Sequence, residues 1–151
     1  MKHRATGIGG VFFKAKDPAK LGAWYREHLG LPVDEQWNGF QFHWRDHKNP
    51  KQTGSTTWTA FKADTKYFGG GKGTSGGQAH MINYRVTNLN KMLAQLKKAG
   101  VWIDPKSPTL DPAYGNFAWI KDNEGNRIEL WEPPAPAKPK TKSQPKKKNA
   151  A

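Results

Sequence analysis

Few side chains in this 151-residue sequence combine reactive chemistry with a setting that could use it. Glu129 and His43 can each take up a proton as a general base. Arg85 can hold an anionic oxygen by a charge-assisted hydrogen bond, and Asn83, two residues earlier, can add neutral polar contacts. Cysteine is absent, which excludes disulfides, thiolate metal sites and cysteine nucleophiles. The glycine-rich run from Gly69 to Gly77 invites a phosphate-loop reading. That reading fails, because Lys72 is followed by Gly73 and no glycine stands five residues before Gly71. The run reads as a flexible linker.

These residues sit in a sequence that states one pattern twice. Val11 to Asp17 leads through Pro18–Glu27 into Leu29-Gly30-Leu31-Pro32-Val33-Asp34, and Ile82 to Asn88 leads through Leu89–Lys98 into Ala99-Gly100-Val101-Trp102-Ile103-Asp104. Gly10 to Trp58 and Met81 to Glu129 are both separations of 48 residues. A repeat of this length means two copies of one supersecondary unit. In the first copy, Gly7–Ala15 alternates as a strand, and Asp17 caps a helix with Pro18 at its first position. Leu21, Trp24, Tyr25 and Leu29 form that helix's apolar stripe, and Gly30 ends it. Phe40–Arg45 and Thr56–Phe61 follow as strands. In the second copy Met81–Val86 is a strand, Asn88 caps a helix carrying Leu89, Met92, Leu93 and Leu96, and Gly100 ends it. Val101–Ile103, Phe117–Ile120 and Arg127–Trp131 read as three further strands, the last two joined by a turn over Asp122–Asn126. The second copy reads β-α-β-β-β and each copy is expected to follow that order; the expected class is α+β with a curved mixed sheet and a central cup between two modules related by a pseudo-twofold axis.

Strand alternation distributes the candidate residues. Gly10, Phe12 and Lys14 share one face with Met81, Asn83 and Arg85. The last strands are expected to add Thr56, Trp58 and Ala60, and then Arg127, Glu129 and Trp131. His43 lies opposite in phase to Phe42 and Trp44 and is expected to point inward. Phe12, Trp58, Asn83, Arg85 and Glu129 would then line an aromatic-walled pocket. Arg85 and Glu129 could equally form a structural ion pair, and Trp58 and Phe12 could simply pack the core.

Two local signatures, Asp17-x7-Tyr25-x3-Leu29-Gly30-Leu31 and Asp122-x2-Gly125-Asn126-x-Ile128-Glu129-Leu130, together with the duplication, resemble the glyoxalase/bleomycin-resistance/dioxygenase group, the vicinal oxygen chelate superfamily. The resemblance covers about residues 7–133. It implies modules of about 7–68 and 79–133, a linker over 69–77, and a cupped site that often holds a metal. The usual ligands are a residue on the first and on the last strand of each unit, commonly His or Glu. Those positions fall here on Gly10, Trp58, Met81 and Glu129. Glycine offers no donor, Trp only an indole N–H, and Met a soft sulfur. One carboxylate cannot supply the three or four ligands of a stable site, so no metal cofactor is expected. The fallback is one divalent ion held by Glu129 with His80 or His43. A register error of one residue would turn His80 to the other face, so it reads as the start of its strand unless a bulge intervenes.

Composition settles less. Six of the 25 Lys and Arg lie between Pro133 and Ala151 with no acidic residue, leaving 19 against 12 in the body, about +7. Residues 134–151 read as a disordered basic tail outside the domain. Seven Trp, seven Phe and four Tyr suffice for a packed core. The sequence shows neither a signal peptide nor a membrane span, and a cytoplasmic protein is expected. Global charge and tail alone favour nucleic acid, and no reader motif accompanies them. Two functions remain. One is a binding protein for a small, partly aromatic, neutral or anionic molecule; a positive body disfavours cationic bleomycin. The other is a glyoxalase-like lyase or dioxygenase, either with His43 or Glu129 as base and weakened by the missing Lewis acid, or metal-dependent through Glu129 with His80 or His43. A homodimer is expected, since such sheets leave apolar module edges.

Overall fold

The computed structural model describes residues 2–69 and 77–136. Its elements run β1 (Gly7–Ala15), α1 (Pro18–Leu29), β2 (Gly39–Arg45), β3 (Thr53–Lys62), β4 (His80–Arg85), α2 (Leu89–Lys98), β5 (Thr109–Asp111), β6 (Gly115–Lys121) and β7 (Arg127–Glu132). All seven strands form one mixed sheet in the order β2-β3-β1-β4-β7-β6-β5. The two copies meet at β1 and β4, which pair antiparallel with Val11 opposite Ile82. In each copy the first strand pairs parallel with the last, β1 with β3 and β4 with β7. The expected linker residues 70–76 and the tail beyond Pro136 lie outside the described residues. No described helix is long and apolar enough to cross a membrane.

The helix ends follow their cap chemistry. Asp17 and Asn88 each accept the backbone N–H three residues on, from Lys20 at 3.0 Å and Lys91 at 2.9 Å, which satisfies an orphan donor of the first turn. Gly30 takes up φ 65° to end α1, a region where a Cβ would be strained.

Both helices cover one face of the sheet. α2 closes a core of Val86, Leu89, Met92, Ala118, Ile120 and Leu130, with Leu93 and Leu96 against it. α1 covers Val33, Trp58 and Ala60 with only Leu21 and Tyr25 of its expected stripe. Trp24 and Leu29 are 49% and 59% exposed, Trp24 resting edge-on against Tyr25 and tilted over His28 on the outer side. The third strand expected at Val101–Ile103 shrinks to a single bridge from Ile103 to Ile120, matched in the first copy by Asp34 to Gly39. Prolines at 105 and 108 follow closely and limit further pairing there.

Candidate functional site

Glu129 lies at the middle of the face that the helices leave free. It stands opposite Asn83 of β4 and Trp119 of β6, so three neighbouring strands set these side chains in one row. Asn83 Nδ2 donates to Glu129 Oε1 at 2.6 Å, and Trp119 Nε1 donates to Oε2 at 2.8 Å. The Tyr67 hydroxyl, arriving from the segment after β3, also donates to Oε2. Tyr67 is 36% exposed and stacks on Phe61, while Glu129 beneath it is 1% exposed. The tyrosine is thus a lid over the carboxyl. Phe12, Phe68, Met81 and Trp119 fill the space around the row.

Burial raises the Glu129 carboxyl above the ordinary carboxylate value, against the three hydrogen bonds and the Arg127 charge, which favour the ionised form. Burial, and then the neighbouring carboxylate, push the Tyr67 hydroxyl up as well, which keeps it protonated and donating. Every donor to Glu129 is neutral. The nearest guanidinium belongs to Arg127, whose Nη1 pairs with Asp104 at 2.8 Å. The ion pair considered between Arg85 and Glu129 is not formed.

The pairing register corrects the face expected for Thr56, Trp58 and Ala60. Gly10 pairs with Asn83 and Phe12 with Met81, so the twofold relation exchanges Phe12 with Asn83. Phe12 faces Thr59 on β3 where Asn83 faces Glu129 on β7, which makes Thr59 the counterpart of Glu129. Trp58 lies one residue away and therefore on the opposite face. It packs beneath α1 against Tyr25 and Phe13, at ring distances of 4.6 and 5.6 Å. It is core and does not line the cup.

His80 also faces the helices. It pairs with Phe13 and meets that ring edge-on at 5.0 Å. A bulge does occur between these strands, at Ile8/Gly10, but the register from Gly10 to Phe13 is unbroken, so nothing returns His80 to the face of Glu129. The four ligand positions on the cup face are then Gly10, Thr59, Met81 and Glu129. This donor set does not fit a divalent metal, because glycine has no side chain and a thioether is a soft ligand. Both Glu129 oxygens already accept protein hydrogen bonds. No group of three His, Asp or Glu among the described residues could hold an ion.

His43, in contrast, does reach the free face. It pairs with Ser55, in phase with Gln41 and Thr57. Together with Arg85, Trp131, Tyr114 and Ser55 it lines an open cavity of about 370 Å³. The Arg85 guanidinium lies 5.8 Å from the ring centres of both Trp44 and Trp131. Trp131 is pinned in turn by its indole N–H donating to the Tyr114 carbonyl at 2.7 Å. Asn83 passes close to β1 here, and a Cβ at Gly9 would collide with its Oδ1 and with Trp131. The sequence reasoning placed Arg127, Glu129 and Trp131 on one face but missed Trp119 and Tyr67. The turn at Asp122–Asn126 sets Lys121 opposite Arg127, and counting back by twos brings Trp119 to Glu129. Tyr67 lies in irregular chain, which carries no such period.

A duplicated unit pairing its copies edge to edge, with helices on one face and a cup on the other, defines the glyoxalase-like class. The family model for the Glyoxalase/Bleomycin resistance protein/Dioxygenase superfamily matches residues 7–130, and the chain belongs to that superfamily. Among curated proteins none matches. Similar solved structures include methylmalonyl-CoA epimerase from Mycobacterium tuberculosis, at 22% identity and TM-score 0.54, covering 87% of this chain and 90% of that one. A variant of the Streptomyces coelicolor methylmalonyl-CoA epimerase, in complex with 2-nitronate-propionyl-CoA, aligns at 17% identity and TM-score 0.64, covering 87% of this chain and 100% of the other. At these identities the likeness is one of fold.

Proposed function

We propose that this superfamily member binds a small, partly aromatic, neutral or anionic molecule without a resident metal, at the outer end of the cup. The observation that carries the reading is Arg85. It has no carboxylate partner among the described residues, lies between two indole rings, and opens on a cavity shared with His43. Aromatic walls recognise a planar group by stacking, and a partly shielded guanidinium recognises its carboxylate or enolate oxygen. The binding set is thereby Arg85, His43, Trp131 and Tyr114, while Phe12, Asn83 and Glu129 are buried and do not line this cavity. Turnover, in this reading, falls to His43 as base, because Glu129 is sealed under Tyr67. Exposed Phe42 on one edge strand and Leu110 by the other support a homodimer, which light scattering at micromolar concentration tests.

The test is a tryptophan-fluorescence screen of aromatic carboxylates against their uncharged amides. Arg85→Ala is expected to weaken the carboxylates by about 1.5–3 kcal/mol and the amides far less. Equal affinities in wild type and variant for both series would end the proposal.

A further inference from the structure

The cup face of β7 runs from Arg127 through Glu129 to Trp131, so the Arg85 cavity occupies only one end of it. The other end opens on a second cleft of about 450 Å³, lined among others by Lys66, Trp102, Asp104, Lys106, Lys121 and Arg127. Four cations and one carboxylate therefore share its lining. That carboxylate is already engaged: Asp104 accepts from Arg127 Nη1 at 2.8 Å, with the two side chains only 14% and 13% exposed. Burial opposes ionisation of Asp104, but the Lys106 amide and the Arg127 guanidinium outweigh it and hold the carboxyl below its ordinary value. Lys66, Lys106 and Lys121 form no ion pair among the described residues.

Two of the cations are also held in place. The Arg127 guanidinium lies 5.3 Å from the Trp119 ring centre, its backbone N–H donates to Gln78 Oε1 at 2.7 Å, and its buried Nε has no partner among the described residues. Lys121 Nζ lies 4.8 Å from the ring centre of Trp102, which is itself 43% exposed. Three free ammonium groups and an arginine with donors to spare, beside an accessible indole, form a pocket of positive potential that Asp104 alone does not balance. A monocarboxylate would leave most of that charge unanswered; a phosphate ester or diphosphate would answer it.

We infer that this cleft binds the phosphate or diphosphate group of a small molecule, through Arg127, Lys66, Lys106 and Lys121. The site is separate from the Arg85 cavity and does not depend on the function proposed there. The experiment titrates the full chain with inorganic pyrophosphate at fixed ionic strength by calorimetry. Saturable one-to-one binding is expected, weakened about tenfold or more in the triple variant Lys66→Gln/Lys106→Gln/Lys121→Gln. A control, Lys16→Gln/Lys20→Gln/Lys98→Gln, removes the same charge away from the cleft and should bind within about twofold of wild type. Equal losses in both variants would assign the binding to overall charge. Unchanged binding in the cleft variant would assign it to the basic C-terminal segment. Either result, or no saturable binding at all, overturns the inference.

Discussion

The two modules share a frame but not its chemistry. At twofold-related places the first presents Phe12 and Thr59 to the cup, and the second presents Asn83 and Glu129. Chelation of a metal between modules needs donors from both, and here the polar groups bonded to Glu129 are Asn83 and Trp119 of the second module and the Tyr67 hydroxyl alone from the first. The first module supplies bulk instead, through Phe12, Phe61 and Phe68. Duplication of the backbone therefore does not carry duplication of function. A buried carboxyl without a cationic partner needs neutral donors, and Asn83, Trp119 and Tyr67 are those donors.

The asymmetry between the modules can be tested from both sides. The largest effect is expected at Trp58, whose replacement by Ala should cost about 3–5 kcal/mol in urea unfolding because it empties the core beneath α1. Affinity at the Arg85 cavity should survive that change wherever the variant is folded. Glu129→Ala strands three donors at once and should cost about 3 kcal/mol, while its counterpart Thr59→Ala should cost about 1 kcal/mol or less. Equal costs at the two positions would show that the modules are energetically equivalent after all. Tyr67→Phe removes one hydrogen bond to the carboxyl and should cost about 1–2 kcal/mol, again by urea unfolding.

The smallest effects are expected in pH. Glu129 titrates above its ordinary value in the folded state, so its contribution is fully present below pH 4.5 and is lost as pH rises through the folded pKa. Asp104 titrates below its ordinary value, so its contribution is present above pH 3.8 and is lost as pH falls through the folded pKa. Unfolding free energies measured across this range should lose the high-pH decline in Glu129→Gln and the low-pH decline in Asp104→Asn. A Glu129→Gln profile parallel to wild type would show that the carboxyl titrates normally.

Much of this arrangement was legible in the sequence, and the exceptions have physical causes. The duplication, the caps at Asp17 and Asn88, and the shared face of Arg127, Glu129 and Trp131 follow from periods and cap chemistry that act locally. Trp58 was misplaced because equal separations along a chain do not mean equal registers. Loops absorb single residues at little cost, and one residue is enough to turn a strand over. Trp24 and Leu29 fit a helical stripe but are exposed, since α1 meets the sheet along Leu21 and Tyr25 only. Arg85 and His43 were placed on the free face by alternation alone, whereas the cavity they share also needs Tyr114 and Pro133, from loops with no period to read.

Neutral protein donors occupy both Glu129 oxygens, and a divalent ion there would have to displace them. Calorimetric titration of the chelator-treated full chain with Ni²⁺, Co²⁺ and Mn²⁺, in wild type and in Glu129→Gln, tests this most directly. Indistinguishable isotherms are expected for the two proteins. Stoichiometric binding in wild type that disappears in Glu129→Gln would contradict this expectation.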